Sequence, residues 1–179
     1  MLLVVDNGSV YTKHLIDFLM KKVQFEVIQE NKVKFSNLIN YESFILSGRR
    51  KNNQLMNSLN SKIIKHAILE RKPLLGICYG AEILTLTLGG TIKKSILPQK
   101  GHQIVTISKK NPLCEGKIDV FESHHYEISR LGESLERIAY SDTCLNEIIK
   151  VKGSNIFGIQ FHPEMTNDGK DIIKNFIKN

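Results

Sequence analysis

The sequence predicts an α/β protein with a mostly parallel central sheet flanked by helices and extra antiparallel strands in its second half. Three observations carry that prediction. Short apolar runs alternate with amphipathic stretches through the first half, as in chains of βα units. The run Pro73–Ile77 is apolar throughout, as a parallel strand covered on both faces must be. The second half holds several strand-like runs with little helical pattern between them.

Taken in order, Leu2–Val5 reads as the first strand, followed by a turn at Asp6-Asn7-Gly8-Ser9 in which Ser9 is suited to cap a helix. Leu15, Phe18, Leu19 and Lys22 follow a helical period. Phe25–Ile28 and Ser43–Leu46 read as strands two and three, the latter ending at Ser47-Gly48. Ser61–Arg71 reads as a helix with Ile63, Ile64, Ala67 and Ile68 on one face. Pro73–Ile77 is strand four, and Ala81–Leu88 is a helix stopped by Gly89-Gly90. Five further strands are read at Gln103–Ile107, Ile118–Phe121, Glu136–Tyr140, Glu147–Val151 and Ile156–Phe161. The last two form a hairpin across Lys152-Gly153-Ser154-Asn155. A final helix, Asp168–Lys178, carries Ile172, Ile173, Phe176 and Ile177 inward.

The chain has 179 residues, 41% of them hydrophobic and 24% charged, which fits one globular domain over 1–179. No apolar run nears the roughly 18–20 residues of a membrane helix. The opening run lacks the basic start and small-residue cleavage site of a signal peptide, so a cytoplasmic protein is expected. The net charge is +7, but the lysines are scattered and no run of five basic residues occurs. No nucleic-acid partner is therefore expected. The three cysteines, Cys78, Cys114 and Cys144, form no CxxC, so neither a disulfide framework nor a zinc ribbon is indicated.

The chemistry concentrates at Gly76-Ile77-Cys78-Tyr79-Gly80, where an apolar strand meets G-x-C-x-G and then a helix. This is the strand–turn–helix of a nucleophile elbow with cysteine as nucleophile. The glycines leave room for strained backbone, and the helix N-terminus is expected to lower the thiol pKa. Such a thiol needs a base and a group to orient it. His14 and His66 lie in predicted helices and His102 begins a strand, and surface positions are expected for all three. His124 and His125 are adjacent and should point to opposite sides. His162 ends a strand and is followed by Pro163 and Glu164, which places it on the same rim as Cys78. Cys78, His162 and Glu164 are thus a candidate triad. Metal binding by His124, His125, His162 and Glu164 is not expected, because no H-x-x-x-H or H-E-x-x-H spacing occurs.

At these residues the chain resembles the class I glutamine amidotransferase family. Gly76-Ile77-Cys78-Tyr79-Gly80-Ala81-Glu82 is similar to its nucleophile motif, and Gly158-Ile159-Gln160-Phe161-His162-Pro163-Glu164 to its histidine–glutamate motif. Cys78 and His162 are 84 positions apart, and the likeness runs along essentially the whole chain. Within the family, three segments resemble the separate glutaminase subunits of archaeal GMP synthetases: Asp6-Asn7-Gly8, Glu122–Ile128 and Ile138–Cys144.

The resemblance implies that Cys78 attacks the side-chain amide of glutamine, with His162 as proton carrier and Glu164 as its orienter. A glutamyl thioester would form and be hydrolysed. It also implies that ammonia passes to an ATP pyrophosphatase subunit that adenylates xanthosine monophosphate. ATP and Mg²⁺ would be needed there, and no cofactor here. No G-x-x-x-x-G-K-[ST] occurs, so acceptor chemistry is expected on another polypeptide. Gly48, Arg49, Tyr79, Glu82, Ser123 and His124 are the implied oxyanion and substrate contacts.

Three departures accompany the likeness. Ser47-Gly48-Arg49-Arg50 stands where the family has Ser-Gly-Gly-Pro, Glu82 where it has Gln, and Tyr126 where the nearest relatives have Asp. Competing readings are an amidotransferase of another pathway, a stand-alone γ-glutamyl hydrolase, or a domain kept for binding without catalysis.

Overall fold

The computed structural model describes residues Met1–Asn179. Nine strands form one sheet: β1 (Leu2–Asp6), β2 (Phe25–Gln29), β3 (Ser43–Leu46), β4 (Leu74–Ile77), β5 (Thr91–Ile107), β6 (Lys117–Arg130), β7 (Leu135–Tyr140), β8 (Ile148–Val151) and β9 (Ile156–Ile159). Their order is β2-β1-β3-β4-β9-β8-β7-β5-β6. The pairs from β2 across to β9 are parallel, and those from β9 across to β6 are antiparallel. The α/β class and the change from parallel to antiparallel pairing are therefore as the sequence predicts.

Four helices cover the sheet: α1 (Thr12–Leu19), α2 (Gln54–Leu69), α3 (Tyr79–Thr87) and α4 (Asn167–Phe176). Alternation along β1 sends Leu2 and Val4 to one face, Leu3 and Val5 to the other. The first face packs on α1 and α4 through Leu15, Leu19, Ile172, Ile173 and Phe176. The second packs on α2 and α3 through Ile63, Ile64, Ala67 and Leu84. The two cores hold 21 and 20 buried residues and cover both faces of the parallel part of the sheet, while much of β5 stays exposed. No helix is long and apolar enough to cross a membrane.

Several boundaries differ from the sequence reading. Ser9 does not cap α1; Tyr11 precedes the helix without a side-chain cap, and the Ser9 hydroxyl accepts from the Tyr11 N–H instead. The helix stops at Leu19, and Lys22 folds back over the Phe18 ring. α2 begins seven residues before the predicted Ser61, because the Asn53 side chain accepts from the N–H groups of Leu55 and Met56. β5 begins at Thr91 and not at Gln103, so His102 lies within the strand. Its register breaks between Lys94 and Gln99, opposite His124–Tyr126, and Pro98 sits in that bulge, where no ladder donor is required. His66 is not a surface residue: it is half-buried, its ring meeting the edges of Phe35 and Phe44.

Candidate active site

The site is built where β4 and β9 end side by side. Ile77, the last residue of β4, is paired with Ile159, the last of β9. Cys78 follows at once with φ 50° and ψ −101°, and α3 starts at the next residue. Its N–H donates to the Ile159 carbonyl at 2.7 Å, and its own carbonyl accepts from Ala81 and Glu82. The two glycines of the motif are demanded by space. A Cβ on Gly76 would come within 2.5 Å of the Gly80 backbone, and one on Gly80 within 2.5 Å of the Leu46 carbonyl oxygen.

His162 lies three residues beyond β9, where its N–H donates to the Phe121 carbonyl at 2.8 Å. The imidazole Nδ1 is 2.9 Å from Glu164 Oε1, with both side chains buried. Glu164 is presented by a short 3-10 turn, Pro163–Met165. That bond occupies Nδ1 and leaves Nε2 as the other ring nitrogen. Tyr11, which the sequence did not single out, packs its ring on the imidazole at 4.4 Å between centroids. Its hydroxyl donates to Ser123 Oγ.

Cys78 opens into a cavity of about 260 Å³ that also exposes Arg49, Tyr79, Glu82, Ser123 and His124. Gly48 lies against the imidazole. A Cβ there would come within 3.0 Å of His162 Cε1. The loop 47–49 is pinned from β1. The Asn7 N–H donates to Ser47 Oγ and its side-chain amide to the Ser47 carbonyl, while Asn60 donates to Asn7. Gly8 and Arg49 form an isolated antiparallel bridge. Asn7 and Asn60 are therefore supports that sequence reasoning missed. The only signal was Asn7-Gly8 after the first strand.

Electrostatics correct one expectation. The Cys78 thiol is pushed well above its usual value, first by burial and then by the carboxylates of Glu82, Glu122 and Glu164. The Tyr79 N–H at the start of α3 pulls the other way and is outweighed. Burial likewise raises Glu82, opposed by Arg49 and then His124. His124 is lowered by burial, with Glu147 and Glu82 opposing. Its Nε2 is 2.9 Å from Glu122 Oε2, yet the two are not aligned for a hydrogen bond. The adjacent His125 is exposed where His124 is buried, yet both line the cavity, beside the register break in β5. No group of three or more His, Cys, Asp or Glu side chains is placed to hold a metal ion.

Known proteins are similar to this chain in sequence and in fold along nearly its whole length. It is 31% identical to a subunit of the glutamine-hydrolyzing GMP synthase of Picrophilus torridus, over 98% of this chain and 96% of that one. It is also 31% identical to the glutamine-hydrolyzing GMP synthase of Thermosipho melanesiensis over 97% of this chain, but only 35% of that protein. A crystal structure of a candidate GMP synthase subunit from Thermoplasma acidophilum superposes with a TM-score of 0.88 at 29% identity, covering 99% of this chain and 92% of that one. The sequence pattern of the glutamine amidotransferase class-I family matches residues 3–179. A match of that extent takes in both strands that carry the site, and the chain belongs to the class I glutamine amidotransferase family.

Proposed function

We propose that this protein hydrolyses glutamine to glutamate and ammonia through Cys78, His162 and Glu164, and supplies the ammonia to a separate synthetase subunit that makes GMP from xanthosine monophosphate. The observation that carries the reading is the strained cysteine at the end of β4 beside the buried His162–Glu164 pair at the end of β9. His162 Nε2 takes the thiol proton as the sulfur attacks the carboxamide carbon. It then gives that proton to the departing ammonia, leaving a glutamyl thioester. Next it draws a proton from water, which attacks the thioester and frees the sulfur. Glu164 fixes the ring by holding Nδ1 and stabilises its charged form. The backbone N–H groups of Gly48 and Arg49 lie in the loop beside the imidazole and serve the oxyanion. ATP and Mg²⁺ act on the partner, and this chain works in the cytoplasm without a cofactor of its own.

The Picrophilus relative, of this chain's length, is named as a subunit, whereas the Thermosipho relative carries the matched part within a longer protein. That contrast supports a separate partner. The test is glutamate release by wild type and Cys78→Ala, with and without the candidate synthetase, xanthosine monophosphate, ATP and Mg²⁺. The variant is expected to lose glutamate release while keeping its fold. Normal turnover by Cys78→Ala removes the cysteine from the mechanism, and turnover indifferent to the synthetase favours a free hydrolase.

A further inference from the structure

We propose that Arg49 and Glu82 together form the receptor for the α-amino-acid head group of the substrate, Arg49 taking the α-carboxylate and Glu82 the α-ammonium. The assignment rests on the glutamine-hydrolysing reading above. Two of the positions at which this sequence departs from the family pattern meet in space. Arg49 Nη2 is 3.3 Å from Glu82 Oε2, and the two side chains are 19% and 6% exposed. The arginine that stands in place of Gly and the glutamate that stands in place of Gln thus set one positive and one negative charge side by side.

Both side chains line the cavity that Cys78 opens into. Glu82 stands one helical turn beyond Cys78 on α3, and residues so spaced have Cβ atoms about 5–6 Å apart. In glutamine three C–C bonds, at most about 4 Å, separate the carboxamide carbon from Cα. A substrate with its carboxamide at the sulfur thus carries its head group to the level of Glu82.

Arg49 is already oriented for such a ligand. Its guanidinium lies 4.4 Å over the Tyr79 ring, and Nη1 donates to Asn52 Oδ1 at 2.9 Å. A stacked, tethered fork loses little freedom on binding. Its contact with Glu82 is longer than the roughly 2.7–2.9 Å of a close charge-assisted bond. A zwitterion exchanges that one loose contact for two of its own, α-carboxylate to Arg49 and α-ammonium to Glu82. An amide lacking either charge leaves one member of the pair facing an uncharged group, which is the strongest way for a polar site to reject a ligand.

The test is equilibrium binding to full-length Cys78→Ala, which cannot turn the ligand over. The ligands are L-glutamine, its α-methyl ester, which lacks the carboxylate, and 4-carbamoylbutanoate, which lacks the ammonium. Glutamine is expected to bind more tightly than either analogue by about tenfold or more. Adding Arg49→Met should abolish the preference over the ester and keep that over 4-carbamoylbutanoate. Adding Glu82→Gln should do the reverse. Should Arg49→Met fail to fold with Glu82 left unpaired, the nearly isosteric Glu82→Gln decides alone. Unchanged preferences in the folded variants overturn the assignment, as does failure of Cys78→Ala to bind glutamine. Selective binding as described, with no glutamate released by wild type and partner, would sink the hydrolytic reading and leave this pairing standing.

Discussion

Cys78 is held as a thiol by its surroundings, although it opens a helix. Burial and three nearby carboxylates outweigh the backbone donor at Tyr79, so little thiolate is present at neutral pH in the free chain. Alkylation of Cys78 by iodoacetamide should therefore be slow at pH 7 and keep rising into the alkaline range without levelling off. Glu82→Gln removes one of the three charges and should accelerate alkylation at pH 8 severalfold, a factor of ten corresponding to about one pKa unit. A rate already flat above pH 7 contradicts this account. The candidate triad is legible in sequence because each member sits in a short motif with its own turn chemistry. Tyr11, Asn7 and Asn60 are not, because their roles arise only on folding. Tyr11 reaches Ser123 across 112 positions, and Asn60 reaches Asn7 across 53.

The β4–α3 elbow turns on close approach of main chain to main chain. At Gly76 an added methyl would meet the Gly80 backbone, which cannot rotate aside as a side chain can. Gly76→Ala should cost about 1–3 kcal/mol of stability, as overpacking does, read as a lower urea midpoint at constant slope. It should cost far more in glutamate release, since it displaces the sulfur from the Gly48 loop. Activity that survives intact alongside the lower midpoint would show that the elbow tolerates this shift. Elements with continuous apolar runs, such as β4 and β9, are readable from sequence. β5 is not, because Pro98 and Gly101 interrupt its alternation and the bulge that accommodates Pro98 depends on β6. The first half of α2 is hidden for another reason. It is polar to the eye, yet Asn60 is fully buried, donating to Asn7 and to the Met56 carbonyl.

For the molecule as a whole, the main pH-dependent liability is a buried acid pair behind the cavity. Glu122 and Glu147 are both raised, first by burial, and their mutual repulsion raises Glu147 further. The folded protein thus keeps protons that the unfolded chain gives up above about pH 4.3. Stability is expected to fall as pH rises from there through the folded values, the opposite of a salt-bridged carboxylate. Glu122→Gln should flatten that decline, with a melting temperature that gains on wild type between pH 5 and 8. A wild-type melting temperature flat over that range would rule out the buried pair as its source. Chain order within the sheet adds a constraint in time. β9, which delivers the imidazole, is the last of the nine strands to leave the ribosome and slots between β4 and β8, both already made. Until Ile156–Ile159 emerge, the edge of β4 stands bare and open to wrong pairing. A nascent chain can therefore carry Cys78 and its first helices while two members of the candidate triad are still unmade, and the set is whole only once synthesis has run past Glu164.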